Sequence, residues 1–550
     1  MFEDADNFAD LFRGGFSVLL VTIPLLVILS SSPVLASNEF TIERMAQYDV
    51  HGVPYGCRAS SINLEAKSLQ TWTTSRHCVI TRFQDLTVDQ FREIRAKAGG
   101  VIILLPENLS LLSNEEKQQI YTLEQAIMAQ EISIPVYFSK FDPELSNIID
   151  EISTSKEKQE TSKNNKRESA ISEIINSISA NGYQVVVSGA SHVVNKQSKI
   201  PIIQGELAPT KNIKADGNVE INTKLPLIII TAHLETFGLV NHQLPNLDVT
   251  VFMSLVSAFS KIHSSATTSP KYRIMFLLSE SGALLNFQGM KKWLDSNLDE
   301  NMQIQNAEFV LCIDGIGQQS DTNTLYMHVS KPPKEGTHMN NFYKQLRTTA
   351  QSYENVTVEG IHKKINLADV QLAWEHERFS MKRMAGFTLS SSKSHKDPLR
   401  STIFVENQEQ NLQTAQRNAK ILAESLGAYV FGNNNGELFS GASAISNELV
   451  KPWLHIRSTQ INNDLKNAFE KYLKNVKVTY DKPDAREPDF MLYDGHQGTL
   501  NVYSVKPAVF DLFLTFVIVA YLGSVYLVIV SFPTLYGAMC KLSNTKVKAN

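Results

Sequence analysis

Residues 226–235 read Pro-Leu-Ile-Ile-Ile-Thr-Ala-His-Leu-Glu, and this stretch decides the fold. Its centre, Leu227 to Thr231, is a short apolar run rich in isoleucine, which predicts a strand buried on both faces. Two side chains that can bind metal ions or protons, His233 and Glu235, stand where that strand ends. A strand of this kind predicts a helix-covered sheet that collects polar groups at one edge.

The residues that follow repeat the order of strand and helix. Strands are predicted at 227–231, 273–278, 309–313 and 325–329, and helices at 249–262, 283–294, 341–352 and 410–426. Strands that alternate with helices of this length imply a largely parallel sheet. We therefore predict an α/β fold over residues 171–430, with a mixed, mostly parallel sheet and helices on both faces.

A smaller N-terminal α/β region is predicted over residues 37–170. Its strands are expected at 101–105 and 134–138, with a helix over 115–130 between them. Residues 151–169 are mostly Lys, Glu, Ser and Asn, which bury little apolar surface, so this segment is predicted to be a mobile loop.

The chain becomes less regular after the α/β region. Residues 431–447 are rich in Asn, Gly and Ser and are predicted to be a linker. Residues 449–472 can form one helix, and the prolines at 483 and 488 interrupt regular structure. We therefore predict that residues 448–507 form a membrane-proximal stalk.

The overall composition is that of an ordinary globular protein. The chain has 550 residues, of which 43% are hydrophobic and 20% charged, and its formal net charge is −4. This length exceeds one ordinary core, so more than one folded unit is expected. The small net charge gives no support to a polyanion-binding surface, so nucleic acid is not an expected direct partner.

Two apolar segments predict a membrane protein. The run from Phe16 to Leu29 is typical of a signal peptide, here residues 1–36 with cleavage near Ala36. The acidic residues before this run leave a retained N-terminal anchor as the alternative. The run from Leu512 to Phe532 carries no charge and spans about 30 Å as a helix, the thickness of a bilayer core.

The flanks of the second segment predict its orientation. We expect a transmembrane helix over 508–536 and, because lysines follow it, a cytosolic tail over 537–550. Lys546 and Lys548 match the spacing of a dilysine retrieval signal, with a plain basic flank as the alternative. The prediction is a single-pass type I protein of the endoplasmic reticulum membrane, with most of the chain in the lumen.

Cysteines and sequons fit a luminal location without proving it. The sequons at Asn108 and Asn355 are candidate glycosylation sites. Cys57 and Cys78 can pair in an oxidising lumen, but their spacing does not decide whether they do. Cys312 lies inside a predicted strand and is expected to be inert core.

A set of polar residues follows the predicted strands at their carboxyl ends, where open α/β sheets bind ligands. In chain order these residues are His233, Glu235, Ser279, Glu280, Asp314 and His395. Histidine and carboxylate side chains are common metal ligands, so the set is chemically capable of metal binding.

The order of these residues resembles the ligand order of the co-catalytic zinc aminopeptidases, a superfamily that includes the transferrin receptor and nicastrin ectodomains. Within that superfamily the chain is more closely similar to the nicalin family. The stretches that carry this similarity are residues 44–49, 329–336, 365–368, 374–379 and 505–511.

The resemblance implies that the catalytic set is incomplete. His233, Asp314 and His395 match ligand positions, and Glu280 matches the second residue of a Glu-Glu pair. The first residue of that pair, the general base, is Ser279, which is not a base at neutral pH. Glu235 replaces a shorter aspartate, and Asp248 is the weakest match because the Asn and Gly residues beside the bridging carboxylate are missing.

We therefore expect a degenerate site with no catalytic residue, no bound metal and no cofactor. In this prediction His233 and His395 are hydrogen-bonded residues of a relic cleft, Asp314 caps local backbone, and Glu280 is a solvated loop acid. The stretch 374–379, Trp-Glu-His-Glu-Arg-Phe, is expected to be a charged surface loop with aromatic anchors; a binding patch is the alternative.

The resemblance also implies a function. It predicts a non-catalytic scaffold subunit of a membrane complex that associates with the translocon and assists insertion of multi-pass proteins, with an influence on Nodal signalling. The implied partners are a Nodal-modulator-like luminal protein, a small multi-pass membrane protein and ribosome-associated insertion machinery. The alternatives are a luminal zinc aminopeptidase and a nicastrin-like receptor that holds substrates in the relic cleft.

Overall fold

The structure is a computed structural model of the chain. It describes residues 38–164, 182–213, 219–222, 224–235, 238–240, 247–263, 270–298, 302–318, 323–353, 356–404, 408–432, 438–454, 461–505 and 508–547. The predicted signal peptide and two predicted site residues, Asn355 and Lys548, lie outside these ranges.

The apolar stretch Leu227–His233 forms a central strand of an eight-stranded sheet. In spatial order the strands are β18 (Thr357–His362), β17 (Thr324–Val329), β19 (Gly386–Ser390), β16 (Phe309–Ile313), β14 (Leu227–His233), β15 (Arg273–Ser279), β11 (Ile200–Leu207) and β20 (Lys474–Asp481). The four strands from β19 to β15 run parallel, whereas β11 and β20 are antiparallel to their neighbours. The predicted mixed, mostly parallel sheet is confirmed.

Both faces of this sheet are covered, because alternate residues of each strand point to opposite sides. Ile228 and Ile230 of β14 belong to a large apolar cluster with helices α4 (Leu247–His263), α7 (His338–Ala350) and α9 (Gln408–Phe431). Ile229, between them, packs on the other side with helix α5 (Gln288–Asn297) and Phe379 of the short helix α8 (His376–Met381). Every residue of β14 is buried. The short helix α6 (Met302–Gln305) also packs on this second side through Ile304.

The N-terminal region closes into a barrel. Around it lie β1 (Asn38–Arg44), β22 (Gln497–Val505), β9 (Gly182–Ser188), β4 (Asn63–Lys67), β5 (His77–Arg82), β6 (Gly100–Leu104) and β8 (Val136–Ser139). The helices α1 (Val88–Lys97), α2 (Asn114–Met128) and α3 (Pro143–Asn164) accompany these strands. Thr87 and Ser113 begin α1 and α2 with capping boxes, in which the cap and the third helical residue bond each other's backbone N–H.

A smaller sheet joins the two larger units. Its order is β10 (Val193–Val194), β21 (Phe490–Asp494), β2 (Gln47–Val50), β3 (Val53–Cys57) and β7 (Glu131–Ile132). One apolar cluster contains Phe490 of this sheet, Ile103 of the barrel, and Leu239 and Leu285 from loops of the eight-stranded sheet. A separate pair, β12 (Thr210–Ile213) and β13 (Val219–Ile221), forms a ribbon.

The prediction of a stalk over 448–507 is wrong. Within this segment β20 extends the eight-stranded sheet, β21 pairs with β2, and β22 lies between β1 and β9 in the barrel. Strand pairing across several hundred residues has no local signature in the sequence, which is why the segment was predicted to be irregular. The C-terminal segment therefore completes all three sheets.

Two other predicted segments also differ. Residues 151–164, predicted as mobile loop, continue α3 as helix to Asn164. The single helix predicted over 449–472 is two helices, α10 (Asn447–Leu454) and α11 (Asn463–Tyr472), the second capped by the Asn462 side chain. In the predicted linker, Phe439 and Ile445 are buried against the large apolar cluster.

The cysteine side chains are separate. Cys57 and Cys78 are both buried free thiols, and they belong to different apolar clusters. The backbone N–H of Val136 donates to Cys57 Sγ at 3.2 Å. Burial raises the pKa of both thiols. Cys312 is buried in β16, as predicted.

The chain continues into one long helix, α12 (Ala508–Val547). Within the described residues, Leu512–Thr534 is the one helical segment long and apolar enough to cross a membrane, with a mean hydropathy of 2.5. The structure buries none of it. The helix also runs through most of the predicted tail, including the backbone of Lys546.

Closure of the barrel by β22 makes a specific stability prediction. Leu500 of β22 is fully buried, so Leu500→Ala should lower the free energy of unfolding by about 2–5 kcal/mol. Leu111→Ala is the matched control, because Leu111 is 79% exposed and should cost less than about 0.5 kcal/mol. Denaturant unfolding of both variants checks this; equal, small effects would support the stalk instead.

Candidate functional site

The ends of two neighbouring parallel strands bring three predicted site residues together. His233 ends β14, Glu235 follows it, and Asp314 follows β16. His233 Nε2 lies 3.7 Å from Glu235 Oε1 and 4.0 Å from Asp314 Oδ2. His233 and Asp314 are buried. These distances place His233, Glu235 and Asp314 in one cluster.

An arginine outside the predicted set lies in the same cluster. Arg400 donates through Nε to Asp314 Oδ1 at 2.7 Å and through Nη2 to Asp314 Oδ2. Its Nη1 donates to the backbone carbonyl of His395 at 3.2 Å, and its guanidinium lies 4.2 Å from the centre of the Trp374 ring. Asp314 thus forms a bidentate ion pair with an arginine. The prediction that Asp314 caps local backbone is therefore wrong.

The stretch 374–379 is buried, so its prediction as a surface loop is wrong. Each polar side chain in it has an internal contact, which is why a charged run can lie in the core. Glu375 Oε2 accepts from Thr231 Oγ1 at 3.0 Å, and His376 Nδ1 lies 2.8 Å from Thr388 Oγ1. Glu375 Oε2 also lies 3.9 Å from His233 Nδ1, which places a third carboxylate beside the cluster's histidine.

Asp248 supports the cluster through the backbone. Its carboxylate accepts from the N–H groups of Gly315, Ile316 and Gly317, at 2.6, 2.8 and 3.2 Å. Gly315 has a φ of +71°, a backbone conformation that glycine adopts easily. The backbone-capping role predicted for Asp314 therefore belongs to Asp248, which fixes the turn after Asp314.

Ser279 and Glu280 are directed away from this cluster. Ser279 is fully buried and its Oγ lies 2.9 Å from Ser281 Oγ. Glu280 accepts from the backbone N–H of Ile461 and is 7% exposed, so its prediction as a solvated loop acid is wrong. Glu235 instead reaches the loop after β15, where its Oε1 accepts from Ala283 N at 2.8 Å.

The ring of His395 also lies apart from the carboxylates. Its Nε2 is 3.5 Å from Lys363 Nζ. Burial and the charges of Lys363 and Arg400 lower the pKa of His395 to about 4, so the ring is neutral at physiological pH. Backbone rather than side chain connects His395 to the cluster, through Arg400.

The charges of the cluster compensate one another. Burial opposes protonation of His233, but the carboxylates of Glu375, Asp314 and Glu235 outweigh it and raise the pKa of His233 to about 9. Burial raises the pKa of Asp314, but Arg400 outweighs it and the pKa lies below its usual value. Burial raises the pKa of Glu235 and of Asp248. The site is therefore an ion-pair network around two internal cations.

This arrangement does not fit a pair of zinc ions. Such a pair needs a bridging carboxylate, terminal ligands and a carboxylate base. Asp248 accepts from backbone N–H groups, His395 faces a lysine, and the hydroxyl of Ser279 contacts that of Ser281. Within the described ranges, no three His, Cys, Asp or Glu side chains are grouped so that they could hold a metal ion.

Sequence reasoning missed two members of the site, Arg400 and Glu375. Glu375 lies within a motif that was singled out, but its charge density suggested a surface. Arg400 follows Asp397-Pro398-Leu399 with no motif of its own. The sequence around Arg400 therefore contained no signal that could have identified it.

The predicted modification and retrieval residues lie far from the cluster in the chain. Asn108 is exposed, and its side chain accepts from Ser110 N at 2.9 Å in a 3-10 turn. Its exposure is compatible with glycosylation. Lys546 is in the last helix, and nothing further is described of its side chain.

The fold and site define a mixed α/β protein with a buried ion-pair cluster and one candidate membrane helix. The chain is 33% identical to the zebrafish (Danio rerio) protein "BOS complex subunit ncln" over 100% of both chains. It is 34% identical to the human "BOS complex subunit NCLN" over 96% of this chain and 95% of that one. A Caenorhabditis elegans relative named "Nicalin" is 25% identical, with 95% of this chain covered. The chain belongs to the nicalin family.

Comparisons with family models and with solved structures show less similarity. No protein-family model matches the chain. The LapA aminopeptidase of Legionella pneumophila is 15% identical, covering 45% of this chain and 55% of that one with a TM-score of 0.28. A metallo-carboxypeptidase of Burkholderia cenocepacia has a TM-score of 0.22. Overlaps of this size carry no argument about fold or chemistry.

Glu280, which lies outside the His233 cluster, provides a separate electrostatic test. Burial raises the pKa of Glu280 to about 8, above its value in the unfolded chain, so folding loses stability as pH rises through this interval. Glu280→Gln cannot ionise, so its stability relative to the parent should rise between pH 5 and pH 8, by on the order of 3 kcal/mol. Denaturant unfolding at both pH values measures this.

The exposed Glu115 of α2 supplies the control. Glu115→Gln should show the same difference from the parent at both pH values, because its carboxylate is hydrated in both states. Parallel pH profiles for Glu280→Gln and its parent would contradict the buried, acid-form assignment of Glu280.

Proposed function

We propose that this chain is a non-catalytic scaffold subunit of a membrane protein complex. The observation that carries the proposal is the match over nearly the whole chain to relatives that are named subunits of the BOS complex. The one candidate span among the described residues and the large folded part that precedes it agree with a scaffold, because both give surface for partners.

The geometry of the cluster favours a non-catalytic role. A di-zinc peptidase needs a carboxylate base, and this chain has the buried Ser279 where the resemblance places that base. The guanidinium of Arg400 and the ring of Trp374 occupy the space beside Asp314. Because these two side chains fill the space beside Asp314, the cluster also argues against a receptor that holds a substrate terminus between His233 and Asp314.

We further propose the location and the partners that the sequence resemblance implies. Residues 1–36 act as a signal peptide, Leu512–Thr534 spans the endoplasmic reticulum membrane, and Lys546 with Lys548 mediates retrieval. In this topology Asn108 is luminal and glycosylated, and Asn355 is a second candidate. The partners are a Nodal-modulator-like luminal protein and a small multi-pass protein, in a complex that assists multi-pass insertion at the translocon and influences Nodal signalling.

Purification of the tagged full chain in mild detergent, followed by mass spectrometry, tests the proposal. We expect a Nodal-modulator-like protein, a small multi-pass protein and translocon components to be recovered in defined ratios. A second chain, in which 512–534 is replaced by an unrelated span of equal length, separates luminal contacts from contacts made in the membrane.

An unrelated type I protein of the endoplasmic reticulum with the same tag serves as the control. Recovery of the same components with that protein, or their absence from the nicalin-family chain, would remove the proposal. Chelator-sensitive peptide cleavage by the purified chain would remove its non-catalytic part alone.

A further inference from the structure

The buried cluster contains more carboxylates than a protein interior tolerates without a cation. Glu235, Asp248, Asp314 and Glu375 gather at the ends of β14 and β16; Asp314 and Glu375 are buried, and Glu235 and Asp248 are partly buried, so little water reaches them. Carboxylates in such surroundings must be protonated, paired with a cation or bound to a metal. One of these three, protonation, a cation or a metal ion, must therefore stabilise the four carboxyl groups.

Arg400 contacts this cluster through its side chain. It donates to both oxygens of Asp314, and its charge also acts on Glu235 and Asp248. The guanidinium is buried, with 6% of the side chain exposed, and lies over the face of Trp374. Trp374 also stacks on His328, with ring centres 4.1 Å apart.

We propose that Arg400 is a built-in cation that neutralises this carboxylate cluster, in the role that a metal ion has in zinc aminopeptidases. The inference goes beyond the proposed function, because it concerns the chemistry of the cluster and not its partners. It also explains why the ring of His395 is not a ligand: the Arg400 guanidinium lies between the His395 backbone and Asp314.

The segment that carries Arg400 is fixed from outside the cluster. Glu124 of α2 accepts from Thr402 Oγ1 at 2.5 Å and from Ile403 N at 2.8 Å. Gln125, next to it, donates through Nε2 to the Lys396 carbonyl at 3.1 Å. One helix of the barrel unit therefore holds both ends of the segment 396–403.

This anchoring gives the cation a defined position. An arginine on a free loop would lose side-chain and backbone entropy when it pairs with a carboxylate. Here the contacts with α2 already order the segment, so they offset that entropy loss. The cluster and the N-terminal barrel are consequently coupled through a single segment. A metal ion would need Arg400 to leave, and the bonds from Glu124 oppose that movement.

The test uses the full chain in detergent, its metal content and its thermal unfolding. The parent chain should hold less than roughly 0.1 zinc per chain after dialysis, and neither a chelator nor added zinc should move its Tm. Arg400→Met should lower the Tm by about 5 °C or more, because it leaves a buried carboxylate unpaired. Adding Asp314→Asn to it should restore at least about half of that loss.

Arg378 provides the matched control, since it is also a buried arginine but donates to the backbone carbonyl of Asn286. Arg378→Met and Asp314→Asn should have additive effects on the Tm. Additive effects for Arg400→Met and Asp314→Asn would overturn the proposal. So would stoichiometric zinc in the parent chain whose removal lowers the Tm; this metal measurement holds even if Arg400→Met fails to fold.

Discussion

The ion pair between Arg400 and Asp314 is the interaction on which the centre of this protein depends. Parallel strands bring their carboxyl ends to one edge, and the loops there carry several acids into a water-poor space. Breaking a buried pair by removing one partner costs about 3–5 kcal/mol, because the remaining charge stays buried and unpaired. In this chain the cation is a side chain, so the folded sequence neutralises its own site.

A second constraint is the closure of each sheet by distant strands. β22 lies between β1 and β9 in the barrel, and β20 extends the sheet that contains β14. Because residues 474–505 supply strands to three sheets, the folded units that contain these sheets cannot separate without unpairing strands. Six residues, 506–511, separate the end of β22 from the candidate span Leu512–Thr534, so the span lies close to the barrel along the chain. This construction suits a scaffold, in which relative positions matter more than motion.

The sequence predicted those features of the fold that a local pattern of residues determines. The apolar run 227–231 and its neighbours predicted the central sheet, and the structure brings His233, Glu235 and Asp314 together where its strands end. Two kinds of feature could not be predicted from the sequence. The pairing of β22 with β1 joins residues more than four hundred positions apart, and the burial of Glu375, His376 and Arg378 depends on partners that no window of sequence contains. Arg400 was missed for the same reason.

Anomalous X-ray scattering at the zinc edge, from crystals of the chain grown with excess zinc, tests the central claim most directly. The account predicts guanidinium density bonded to Asp314 and no anomalous peak between His233, Glu235 and Asp314. A zinc peak bonded to His233 and Asp314, with Arg400 displaced from the cluster, would contradict it.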